Sequence, residues 1–267
     1  MAKKSKTGKL KYQLAFEYRS LKWLVLEIVL FSVFSEIAYT YFYVKNIKSN
    51  DDIAFAPVIS GGLWQILFYI TMIVGFLSVA YVVFGDRKDF YGLYALRTMP
   101  IENKHIIISK LGVSILAMLG IYGSQLLAFM FSWSLFTDKI QVARRVSHAL
   151  NIALVKDGFI YAAFPYTLLG LLINVIVVII LTIGFAYLLY AVKTRITNKI
   201  LLAGVFFILN LVAAVAFVLI GVRVPFIPVT MEGISANTSI IVSICVVVYI
   251  GALGLIIRKM YKEFIYE

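Results

Sequence analysis

Six stretches of this chain, 23–44, 62–84, 106–136, 162–192, 200–222 and 240–257, are apolar over lengths that can carry a helix across a bilayer. Such a crossing takes about 20 residues. No other feature limits the fold so strongly. Composition agrees: of 267 residues 62% are hydrophobic and 14% charged, and the mean hydropathy is +0.96. A soluble domain of this length needs a polar shell, and the chain has too few charges to build one. A soluble enzyme and a nucleic-acid-binding domain are therefore excluded. The expectation is an all-α integral membrane protein with six transmembrane helices, forming a single domain over residues 1–267. Cys245 is the only cysteine, so no internal disulfide and no thiolate metal site is expected, and His105 and His148 are too few for a zinc or haem centre. The stretches 106–136 and 162–192 exceed what a bilayer needs and predict tilt or extension past the headgroups. The first stretch contains Glu27 and Glu36 and is followed by no small-residue cleavage site, so it is expected to be a span rather than a signal peptide.

The positive charges give the orientation. Segments 1–22, 85–110, 193–199 and the tail hold 18 of the 25 Lys and Arg residues, and the alternate loops hold the other 7. Because Lys and Arg collect on the cytoplasmic side, both termini are expected to face the cytoplasm across the cell membrane. The net charge of +12 then reads as a topology signal and a grip on anionic headgroups. A nucleic-acid partner is not needed to explain it.

Catalytic signatures are missing. Gly8-Lys9 has Lys3 where the first glycine of a phosphate loop would stand, no HExxH occurs, and Gly123-Ser124 runs into Gln125 and Leu126 instead of forming a nucleophile elbow. No enzyme activity and no cofactor are expected in this chain. Before the first span, Leu10, Leu14, Tyr18 and Leu21 share one side of a helical wheel, and Tyr12, Phe16 and Trp23 form a second apolar strip, with Lys11, Arg19 and Lys22 between. Residues 1–22 thus predict a basic amphipathic helix in the headgroup layer.

The most informative segment is the loop 85–105 between the second and third spans. Asp86 or Asp89 can cap a short helix there. Phe90, Leu93, Tyr94 and Arg97 recur at i, i+3, i+4 and i+7, and Pro100 stops the helix. An apolar stripe on a short cytoplasmic helix has no core of its own, so it must lie on the membrane or fill a groove on another protein.

Asp89, Gly92, Leu96, Pro100 and Lys110, in that order before the third span, are similar to the coupling-helix region of ABC-2-type permeases, where a glutamate is commoner at the first position. The basic N-terminal helix, six spans and cytoplasmic termini resemble that family's plan over nearly the whole chain. The resemblance implies the membrane half of an ATP-driven exporter. Two copies of the chain would pair with two cytoplasmic ATPase subunits, which hold ATP and Mg, while the chain itself holds no cofactor. Asp89, Phe90, Gly92, Leu93, Tyr94, Arg97 and Pro100 become the ATPase-coupling residues. The implied substrate is amphipathic, a peptide in preference to a lipid-linked compound, because no large external domain is present.

Three other features bear on function. Gly120, Ser124, Ala128 and Ser132 make a small-residue ridge that lets a second helix approach. Glu27 and Glu36 fall on opposite faces of the first span, and Glu36 is the deeper, a candidate for substrate or gate contact. In the external segment 137–157, Arg144 and His148 lie on the polar face of an amphipathic pattern and are candidates for the same role. Two other functions fit the sequence: a proton-coupled secondary transporter using Glu36, and a membrane protein that confers peptide immunity without transport.

Overall fold

From Lys9 to Ala56 the sequence contains neither glycine nor proline, and a helix that starts at Ala2 accordingly runs unbroken to Lys45. This is α1. At 1.5 Å per residue it is about 66 Å long, roughly twice a bilayer core. It carries the expected N-terminal helix and the expected first span as one rod, with no break at Lys22–Trp23. The headgroup-lying helix of residues 1–22 is corrected on this point, because no helix-breaking residue stands where the chain would have to bend. The face turned inward also differs: Glu17 and Leu21 are buried, whereas Tyr18 and Trp23 are exposed. They continue the buried line Ser32, Glu36, Thr40 and Val44, so packing of the whole rod sets which side faces in.

The structure, a computed structural model, describes residues 2–46, 55–84, 103–139, 157–194 and 197–219. It also describes Leu150, Leu154, Phe226 and helical pieces at 248–249, 251–252, 254–256 and 258–259. Among the described residues every regular element is a helix. After α1 come α2 (Ala56–Ser60), α3 (Leu63–Phe84), α4 (Asn103–Lys139), α5 (Gly158–Ala163), α6 (Leu168–Thr194) and α7 (Thr197–Leu219).

Three of these are long and apolar enough to cross a membrane: Leu63–Val82 of α3, Ile108–Thr137 of α4 and Leu168–Val192 of α6. A shorter apolar stretch, Ile200–Val215, lies in α7. The chain is therefore a helical protein with membrane-spanning segments. Most of the expected sixth span and the loops 85–102 and 141–149 lie outside the described residues. Large apolar side chains such as Leu168, Leu169, Leu201 and Leu211 stay exposed on α6 and α7. A lipid-facing surface accounts for them, where water would not.

The expected fourth span is divided. Pro165 keeps the residue before it out of the helical region, and Phe164 has φ −123° and ψ 72°. Ala162 therefore ends a separate short helix, α5, and the crossing begins only at Leu168. Both sides of the break are capped. Asp157 accepts from the Ile160 amide at 2.9 Å, and Thr167 Oγ1 accepts from the Gly170 amide at 3.1 Å.

α1 packs most extensively on α4, and α3 lies against both. Gly75 makes the α3–α4 approach close: a Cβ there would sit 3.2 Å from Ile121 Cδ1 and 3.3 Å from Met118 Cε. α6 joins α3 and α4 to α7.

Candidate functional site

Two buried polar networks meet on α4, a helix that an apolar environment would otherwise hold by packing alone. The first is a seam with α1. Ser32, Glu36 and Thr40 recur every fourth residue, so they form one line, and all three are buried. Opposite them are Gln125 and Ser132, both fully buried. An amide oxygen facing a carboxylate would set acceptor against acceptor. In the orientation that satisfies every group, the Gln125 nitrogen donates to Glu36 Oε1 at 2.7 Å and Oε2 at 3.3 Å. The Gln125 oxygen then accepts from Ser32 Oγ at 3.1 Å. One turn further on, Thr40 Oγ1 lies 2.9 Å from Ser132 Oγ and donates to the Glu36 carbonyl at 2.9 Å. Ser32 pairs with residue 125 and Thr40 with residue 132, so α1 and α4 run parallel and in a fixed register.

The second network faces α5 and α6. The Tyr122 hydroxyl donates to the Ala163 carbonyl at 2.9 Å. Asn174 Nδ2 donates to Tyr122 Oη at 2.9 Å and to the Ala162 carbonyl at 3.0 Å. Those carbonyls end a short helix and have lost their helical partners, so side chains supply the donors that water would supply elsewhere. Asn174 Oδ1 and the indole nitrogen of Trp64 are buried without a partner among the described residues.

Around the second network the rings gather. Phe164 stacks on Phe129 at 4.5 Å, meets Trp64 at 5.5 Å and meets Phe68 at 5.5 Å. Phe55, just before α2, packs on Phe129, Trp133 and Phe136. Phe226 reaches the cluster from far along the chain, 5.7 Å from Tyr122 and 5.9 Å from Phe68, and its carbonyl accepts from Tyr69 Oη at 2.6 Å.

The fate of the sequence-derived candidates is uneven. Glu36 is fully buried inside the α1–α4 seam, and Glu27 is exposed on the other side of α1. Asp89, Phe90, Gly92, Leu93, Tyr94, Arg97, Pro100, Arg144 and His148 all lie outside the described residues. Of the small-residue ridge, Ser124, Ala128 and Ser132 are buried, whereas Gly120 is exposed with open space beside it. Sequence reasoning missed Gln125, Tyr122 and Asn174. The spacing of Ser32, Glu36 and Thr40 was a signal for the first, and Asn174 stands as an isolated amide in an apolar run. Among the described residues no three His, Cys, Asp or Glu side chains gather as metal ligands would. No protein family, curated protein or solved structure matches the chain.

Proposed function

We propose that this chain is the membrane-spanning permease subunit of an ATP-driven exporter in the cell membrane. It would have six spans and cytoplasmic termini, and would act as a pair of copies with two cytoplasmic ATPase subunits that bind ATP and Mg. Its substrate is an amphipathic peptide or a similar lipid-like compound. The observation that supports this reading is the stripe Phe90, Leu93, Tyr94 and Arg97, set between Asp89 and Pro100. The segment that carries it joins the last residue of α3, Phe84, to the first of α4, Asn103. A partner that grips the stripe therefore pulls on the ends of two packed helices. Because α4 is bonded to α1 through Gln125 and Ser132, α1 moves with it.

Copurification from mild detergent, followed by transport in liposomes, tests the reading. The chain should bring an ATPase subunit with it and should transport only with ATP. Replacing Leu93 by Asp places a carboxylate against apolar walls, a penalty of several kcal/mol. At about 1.4 kcal/mol per tenfold, docking should weaken by roughly a hundredfold or more. The variant should insert normally yet neither retain the ATPase nor transport. Normal docking and transport by Leu93→Asp would refute the coupling assignment.

Proton-coupled transport is the second reading, favoured by a single observation: a carboxyl group, Glu36, buried between two helices. It requires transport without ATP and loss of transport in Glu36→Gln.

A further inference from the structure

Where α1 ends and α3 begins, α2, α5 and Phe226 all turn inward onto the bundle. We infer that α5 is a lid on this end, latched shut by Tyr122 and Asn174 and built to release as a unit. It is self-contained: Asp157 caps its start and the Phe164–Pro165 break frees its end. Its last carbonyls are held by Asn174 of α6 and Tyr122 of α4. Asn174 lies about 9 Å beyond the first residue of α6 along the helix axis. The end of α5 is therefore tucked well down against α6, where only side-chain donors can satisfy it.

Two further observations show that the shut arrangement is not the best-satisfied one. Asn174 Oδ1, an acceptor, and Trp64 Nε1, a donor, are both buried at this end without partners among the described residues. Release of the lid would let water reach them. Phe226, whose ring rests on Tyr122, holds φ at 63°, a left-handed backbone that a bulky residue adopts at a cost. Closure thus sets a few well-made hydrogen bonds and ring contacts against two orphaned groups and one strained residue. Such a balance is what a two-state element requires.

Tyr122 is the node. It belongs to α4, which leaves the loop 85–102 at its other end, so a shift of α4 would draw the hydroxyl away from Ala163. The coupling to α4 rests on the proposed function. The lid itself does not.

The test uses the full chain with Cys245→Ser and one introduced cysteine, at Ala163 or at Ile160, both fully buried in α5. A membrane-impermeant maleimide is applied to membrane fragments, where both faces are reachable, and separately to intact cells. Labelling should be slow at both positions, and Tyr122→Phe with Asn174→Leu should speed it tenfold or more at both. A cysteine at Ala186, fully buried in α6, should stay slow throughout. Unchanged rates in α5 would overturn the latch. A parallel rise at Ala186 would overturn it too, since the network would then hold the whole bundle. Faster labelling in fragments but not in intact cells keeps the lid and refutes the outward placement, which belongs to the functional reading.

Discussion

Helix α1 meets α4 through hydrogen bonds, while α6 meets α7 through a notch and a ring. On the first side, Glu36 faces Gln125 and Thr40 faces Ser132. On the second, Gly184 of α6 lies beneath the fully buried Phe206, and a Cβ on the glycine would collide with the ring, 2.8 Å from Cζ. Phe185 continues that contact, stacked on Phe76 of α3 at 5.2 Å and edge-on to Phe207 at 5.1 Å. Lipid tails are as apolar as leucine, so helices in a bilayer gain nothing from merely being greasy. Close packing and polar pairing are what remain, and this chain uses each in a different place. Polar pairs fix register, because a slip of one residue unpairs them. A notch fixes distance but leaves the helices freer to pivot. The α1–α4 pair is therefore the rigid half, and α6–α7 the half that tolerates sliding but not widening.

Widening it should produce the largest effect. Gly184→Val drives two methyl groups into Phe206, which is enclosed and has no free space to move into. Overpacking of this kind costs about 3 kcal/mol. Thermal unfolding in mild detergent should show a markedly less stable protein, and adding Phe206→Ala should recover part of the loss. A Gly184→Val protein as stable as the parent would mean that α6 and α7 do not need this approach.

The rigid half is broken by removing a donor. Gln125→Leu leaves the Glu36 carboxyl buried with no amide to receive from, at a cost of about 1–3 kcal/mol. Glu36→Gln keeps a hydrogen bond across the same gap and should cost less than half as much. It should also leave ATP-driven transport nearly unchanged, because the driving energy comes from nucleotide. If the two variants are equally stable, the seam is held by shape and the polar line is incidental.

Much of this contrast could be read in the sequence, and the unread part has a physical cause. Apolar length gave the long helices, and Pro165 carried the signal for the break before α6, although the continuous apolar run from Ala162 hid it. Glu36 stood out as an ionisable residue at depth. Its partner did not, because nothing local distinguishes Gln125 from Ser124 beside it. Pairing between residues 93 apart depends on how two rods align, and α1 is long enough to align in several registers. The inward face of α1 was misjudged for a related reason. Local periodicity near Tyr18 favours one side, but a rod without glycine or proline from Lys9 to Ala56 must present whichever side its whole length can bury. Asn174 was legible only as an oddity, since the carbonyls it serves exist because of a break elsewhere in the chain.

The smallest expected effect sharpens the comparison most. Thr40 and Ser132 are neutral hydroxyls, each with further lone pairs, and Thr40 keeps a donor role toward the Glu36 carbonyl in its own helix. Losing Ser132 therefore orphans nothing that α1 cannot satisfy internally. Interhelical hydrogen bonds of this kind couple by about 0.6 kcal/mol on average. A double-mutant cycle with Thr40→Val and Ser132→Ala, read by unfolding in detergent, should return a coupling near that value, because the two residues touch. The same cycle with Thr40→Val and Gly184→Ala should return no coupling, since one pair lies in the polar seam and the other in the notch. A sizeable coupling between Thr40 and Gly184 would show the two halves to be one cooperative unit, and the division between a rigid pair and a sliding pair would fail.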